Sequence, residues 1–123
     1  MGKPGQGSDE ADKYFRLADI ILALEMRLRE SGLWELEAPS DEALASQAPF
    51  CIDTLNFTQW LQFIFVERIK LIIETRAPLP TSSGLVPMAE EYFVTLDSQR
   101  QDIIKILQKF DDLIGTSNLL NSS

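Results

Sequence analysis

The stretch from Asn56 to Ile73, NFTQWLQFIFVERIKLII, constrains the fold more than any other part of the chain. Its apolar residues recur at helical spacing and overflow a single face, so the segment belongs at the centre of a helical core. Both ends are punctuated. Asn56 and Gln59, three residues apart, make a capping box, and Leu55 with Trp60 supplies the hydrophobic staple that fixes the entry of the chain. Beyond Thr75 comes Ala77-Pro78-Leu79-Pro80; a residue before proline is pushed out of the helical region, and proline cannot donate to the helical ladder. The spacing predicts one buried helix over residues 57–75.

Turned at about 100° per residue, that helix places Trp60, Leu61, Ile64, Phe65, Val66, Ile69 and Leu71 to Ile73 around roughly two thirds of its circumference. Gln59, Glu67, Lys70 and Glu74 form the solvated remainder. Gln62 and Arg68 do not fit it. Arg68 falls between Ile64 and Ile72, where an unpaired guanidinium would cost several kcal/mol. It therefore needs a carboxylate, with Asp53 as first candidate and Glu90 or Glu91 as alternates, unless it lays its stem on the core and carries its head into water. Phe63 is the reverse anomaly, an aromatic ring among the polar positions. Its cover is either internal, from the Pro87–Phe93 or Leu33–Leu36 segments, or the surface of a partner protein.

The flanking sequence is helical too. Tyr14, Leu17, Ile21, Leu24 and Leu28 alternate steps of three and four, with Ser8 as a candidate N-cap and Gly32 as the stop. Phe15, Ala18, Ile20, Leu22 and Met26 widen this stripe, which predicts packing against more than one neighbour. Ser40 is placed to cap a short turn before Pro49. Thr81 to Gly84 reads as a loop, and Pro87 as the first residue of a short helix. Asp97 or Ser98 caps a last helix with Ile103, Leu107, Phe110 and Ile114 on one stripe, closed by Gly115. No strand alternation or hairpin signal is present. The fold class is all-α: a small bundle of three long helices and one or two short ones over residues 9–115, with flexible tails at 1–8 and 116–123.

Charge and composition narrow the function. Nineteen acidic against eleven basic residues give a net charge of −8, which repels phosphate backbones and anionic lipid, so direct nucleic-acid binding and membrane attachment are not expected. No run approaches the roughly 20 apolar residues of a membrane span, and MGKPGQGSDE lacks the apolar core of a secretory signal. The lone Cys51 allows no internal disulfide, which suits a cytoplasmic protein; between Phe50 and Ile52 it reads as a small buried hydrophobe. The absence of histidine removes the commonest general base and metal ligand. The carboxylate pairs Glu90–Glu91 and Asp111–Asp112 are adjacent, diverge on a helix and read as solvated faces. No cofactor, metal site or catalytic residue is implied.

The run PFCIDTLNFTQWLQFIFVERI, followed by PLP and PMAEEYF, resembles the YqcC-like family of small bacterial helical proteins. The resemblance implies a helical bundle with no assigned enzymatic activity. Because members are often encoded beside a tRNA pseudouridine synthase, it also implies an accessory role. Two functions are expected on these grounds. The first is a non-catalytic interaction or accessory module whose acidic surface complements a basic protein such as an RNA-modifying enzyme. The second is a small-molecule binder or minor enzyme with a pocket near Asp53, Trp60 and Arg68. Binding residues are sought among Asp53, Trp60, Gln62, Phe63 and Arg68.

Overall fold

The computed structural model describes residues 5–80, 84–93 and 97–122, with side chains described over 11–80, 84–93 and 97–115. Among the described residues five helices follow in order: α1 (Gly5–Glu30), α2 (Asp41–Leu44), α3 (residues 57–75), α4 (Leu85–Tyr92) and α5 (Ser98–Ser122), with a 3-10 turn at Pro49–Cys51 before α3. No strand occurs among the described residues, and none of their helices is long and apolar enough to cross a membrane. The loop expected at Thr81 to Ser83 lies outside the described residues, as do residues 1–4 and Ser123.

The long helices are organised around α1. Tyr14 donates its hydroxyl to the Ala77 carbonyl at 2.7 Å, and Lys70 meets Glu25 at 2.8 Å, so α3 runs antiparallel to α1. Gln99 reaches the Glu30 carbonyl, while Arg16 and Ile20 face Lys109 and Leu113, so α5 is antiparallel to it as well. Leu17, Leu24 and Leu28 of α1, Leu61 and Val66 of α3 and Ile103 and Leu107 of α5 are each fully excluded from water between these helices. α1 thus has the two neighbours its wide stripe predicts, but they do not cover all of it: Phe15, Leu22 and Met26 stay 62%, 60% and 54% exposed on its outer side.

Most boundaries follow local chemistry. Gly32 takes φ 77° after α1, with its N–H on the Arg29 carbonyl and that of Leu33 on Leu28, the paired bonds of a Schellman stop. Ser40 Oγ accepts from Ala43 N at 3.1 Å and caps α2. The Asn56–Gln59 capping box is in place, with Asn56 N–H donating to Gln59 Oε1 at 2.8 Å. Asp97 caps α5 by accepting from Arg100 N–H at 2.9 Å, and that hydrogen bond holds its carboxyl below the usual value of 3.8. α1 starts at Gly5, so Ser8 lies inside it and is not its cap; α5 likewise continues through Gly115.

α4 starts two residues earlier than Pro87 suggests, and its N-terminus is closed from another helix. Asp111 of α5 accepts from Leu85 N and Val86 N at 3.3 and 3.0 Å. The next residue, Pro87, has no N–H to satisfy, so the first three helical positions leave no donor orphaned. Asp111 is thus not part of a solvated carboxylate face, as expected above, but a tertiary cap.

The interior of α3 departs from a uniform helix. Leu61–Phe65 form a π turn between the α-helical segments Phe57–Trp60 and Val66–Thr75. A π turn bonds i to i+5 and takes up one extra residue, so everything after it lags a plain α-helix by about 100°. That lag corrects the central expectation. Arg68 swings out of the apolar arc to an exposed position, and Leu71, also assigned to the core, is 58% exposed. Val66 and Ile69 rotate into line with Leu61 and are 0% and 2% exposed.

Candidate functional site

Ahead of α3 the backbone bends sharply. Ala48 is extended, as a residue before proline must be, and Phe50 and Cys51 then take φ of 55° and 51° in succession. Neither is glycine, and a left-handed conformation costs each roughly 1–2 kcal/mol. The turn is fastened from outside. Thr54 Oγ1 donates to the Ala43 carbonyl at 2.7 Å, Ser46 Oγ to Asp53 Oδ1, and Cys51 Sγ lies 3.8 Å from the Ser46 carbonyl oxygen. Cys51 is buried, as expected.

The bend drives the Phe50 ring into a continuous aromatic run. It meets Trp60 edge-on at 4.9 Å and Phe57 at 6.3 Å; Phe57 continues to Tyr92 and Trp60 to Phe65, which meets Phe110 of α5 at 4.8 Å. Phe50 divides two hollows. The outer one, about 330 Å³, lies between the turn and α4 and is lined by Phe50, Ile52, Leu55, Phe57, Met88 and Tyr92, with Asn56 and Glu91 at its edge. The inner one, about 390 Å³, has Phe50, Trp60, Phe65 and Phe110 among its walls, and Arg68 is its sole charged lining residue among those described.

The residues sought from the sequence do not form one cluster. Trp60 and Arg68 share the inner hollow, but Asp53 does not line it. The expected Arg68–Asp53 ion pair is absent: Asp53 is exposed and bonded to Ser46, and no described carboxylate stands within ion-pair distance of Arg68, Glu90 and Glu91 included. Gln62 is 4% exposed and works as a clamp. Its Nε2 donates to the Glu35 carbonyl at 2.8 Å while its Oε1 accepts from Glu35 N at 2.9 Å, and Gln59 Nε2 reaches the Glu35 carboxylate at 3.2 Å. The α1–α2 connection is thereby fixed to α3. Phe63 is half-buried within the π turn.

Lys70 is the one solvated-stripe residue with a buried partner. Glu25, 7% exposed, accepts from it at 2.8 Å, and this hydrogen bond raises the Lys70 pKa above the usual 10.5 against the opposing effect of desolvation. Elsewhere charge is segregated by sequence. No Lys or Arg occurs from Glu30 to Glu67 or from Ala77 to Gln99, and these two segments hold ten of the nineteen acids. Three of the four cations adjoining them are engaged, Arg29 over the Trp34 ring at 4.3 Å, Arg76 over the Tyr14 ring at 4.8 Å and Arg100 with Asp97 at 2.8 Å, whereas Arg68 meets no described carboxylate. Sequence reasoning missed Ile52, Met88 and Tyr92. Their signal was the apolar character of a turn and a short helix, which does not reveal that the two meet.

The family profile described as tRNA pseudouridine synthase C matches residues 16–113. The uncharacterised protein YqcC of Escherichia coli K12 is 33% identical over 95 residues, 77% of this chain and 87% of that protein. An uncharacterised Haemophilus influenzae protein is 34% identical over 68 residues, 55% of this chain and 64% of the relative's own length. A protein named tRNA pseudouridine synthase C, from Pectobacterium carotovorum subsp. carotovorum, is 37% identical over 62 residues, which are 50% of this chain but 16% of that protein. Among solved structures, the solution NMR structure of E. coli YqcC matches with a TM-score of 0.73 at 30% identity, covering 83% of this chain and 87% of that one.

Proposed function

Because the chain belongs to the YqcC-like family (DUF446), we propose that it is a non-catalytic accessory module that acts by binding another protein, with a tRNA pseudouridine synthase as the candidate partner. One observation carries this reading. The segment similar to this chain makes up only 16% of the Pectobacterium protein named as a synthase, so a module of this kind occurs there within a much longer chain. That similarity supports a synthase as the protein with which a module of this kind works. An enzyme that holds RNA needs a basic surface, and a partner with a net charge of −8 associates readily with basic protein while being repelled by the RNA itself. The lone reduced cysteine suits a meeting in the cytoplasm.

The test is titration of the purified chain into a purified bacterial tRNA pseudouridine synthase C by calorimetry at two salt concentrations. A saturable complex that weakens with salt supports the reading. No heat and no co-elution at micromolar concentration, with an active synthase, would refute it.

A second reading rests on the inner hollow. A volume of about 390 Å³ is within the range of ligand pockets, and its aromatic walls and single guanidinium suit an apolar carboxylate. Quenching of Trp60 emission by medium-chain fatty acids but not by their alcohols, abolished in Arg68→Gln, is its expected signature.

A further inference from the structure

Deepening the partner-binding reading, we propose that the groove between the Pro49–Asn56 turn and α4 receives a short basic segment of the partner protein carrying one large apolar side chain. The groove is open and apolar. Ile52 and Tyr92, 62% and 40% exposed, belong to its opposite walls, with Phe50 and Met88 half-buried beside them and Leu55 and Phe57 buried. At about 330 Å³ it sits at the small end of ligand pockets, a size for one side chain rather than a cofactor.

Its wall is also preformed. Two successive left-handed residues hold Phe50 in place, and such strain persists only where the surroundings over-determine it. Entry of an apolar side chain therefore costs little ordering of the groove, which is where affinity is otherwise lost.

Charge selects the occupant. The groove's sole charged lining residue among those described is Glu91, and exposed Glu90 precedes it on α4. Exposed Asp53 follows Ile52 in the turn, outside the lining itself, with its carboxylate accepting from Ser46. The Thr54–Ala43 bond fastens α2, with exposed Asp41 and Glu42, to the same turn. An apolar slot rimmed by one sign of charge favours a segment of the opposite sign and rejects an acidic one. The exposed stripe of Phe15, Leu22 and Met26 on α1 lacks this selectivity, because Arg16 and Asp19 put both signs beside it.

Three synthetic peptides of equal length test the assignment by NMR titration of the labelled chain: a lysine-rich peptide with a central phenylalanine, the same peptide with alanine at the centre, and one with every lysine changed to glutamate. The phenylalanine peptide should bind about tenfold tighter than the alanine peptide and leave the glutamate peptide unbound, with shifts confined to residues 50–57 and 88–92. Ile52→Lys and Glu91→Lys, both at exposed positions, should each weaken it about tenfold, while Leu22→Lys on α1 changes nothing. Equal affinities of the phenylalanine and alanine peptides, shifts spread over other acidic faces, or undiminished binding by a folded Ile52→Lys chain would overturn the groove. The synthase, titrated in parallel, separates the two ideas. Failure of the wild-type chain to bind it refutes the choice of partner while the peptide result stands alone; synthase binding that Ile52→Lys leaves intact refutes the groove while the partner stands.

Discussion

Deleting Phe63 should be tolerated, because the π turn of α3 already holds one residue more than a plain helix requires. In the native chain the extra residue sets Val66 and Ile69 in line with Leu61. Without Phe63 an ordinary α turn would reach Val66 with the same facing, and the core side of α3 would keep its register on both sides of the cut. The expected loss is that of one half-buried phenylalanine, roughly 1 kcal/mol from the 1.5–3 kcal/mol of full burial. A deletion of Gln108, exposed on α5, is the contrast. It turns Phe110, Leu113 and Ile114, 3%, 9% and 1% exposed, about 100° from the core. At roughly 1.5–3 kcal/mol apiece the loss is about 5–9 kcal/mol, comparable with the whole stability of a domain this size. Urea titration followed by far-ultraviolet circular dichroism and by tryptophan emission reads both variants. If the Phe63 deletion unfolds as readily as the Gln108 deletion, the π turn does not act as a register shift and the account of Arg68 falls with it.

Three further outcomes follow from single contacts. Gln62→Ala removes both bonds to Glu35 and should lower stability by about 2–3 kcal/mol in urea titration; a loss below about 0.5 kcal/mol would mean that water replaces the clamp. Asp111→Ala should cost about 1–2 kcal/mol and speed amide exchange at Leu85 and Val86 more than in the middle of α5, and equal acceleration everywhere would count against the tertiary cap. Lys70 has a raised pKa in the folded chain, so its contribution is complete below pH 10.5 and is lost as pH rises through the raised value. The wild type should therefore lose stability above pH 10.5 more steeply than the Glu25→Gln/Lys70→Gln double variant, which shares every other alkaline titration; parallel curves would contradict the assignment.

What was legible in the sequence was what acts over a few residues. Gly32, Ser40, the Asn56–Gln59 pair and Asp97 each close a helix end through atoms three to five positions apart, so residue type and spacing are enough. The core stripes of α1 and α5 were read for the same reason. Arg68 was misplaced because one wider turn upstream rotates every later residue, and nothing in LQFIF distinguishes a π turn from an α turn on a wheel of fixed step. Asp111 was misread because the groups it serves lie 25 and 26 positions away. The buried clamp of Gln62 is half legible: the residue does not fit the solvated stripe, but its acceptor and donor belong to a connection whose path the sequence does not specify.

The dependence of α4 on Asp111 also sets when the outer groove can exist. A helix of eight residues is too short to hold itself together in water, and this one borrows its N-terminal closure from α5. During synthesis the Pro49–Asn56 turn leaves the ribosome well before Asp111 does, so one wall of the groove waits for the other until the final helix has docked. A nascent or truncated chain would offer Ile52 with no Tyr92 opposite. Engagement of a partner there would report that α5 has docked on α4, and a chain cut before residue 111 would be silent because α4 loses the carboxylate that closes its first turn.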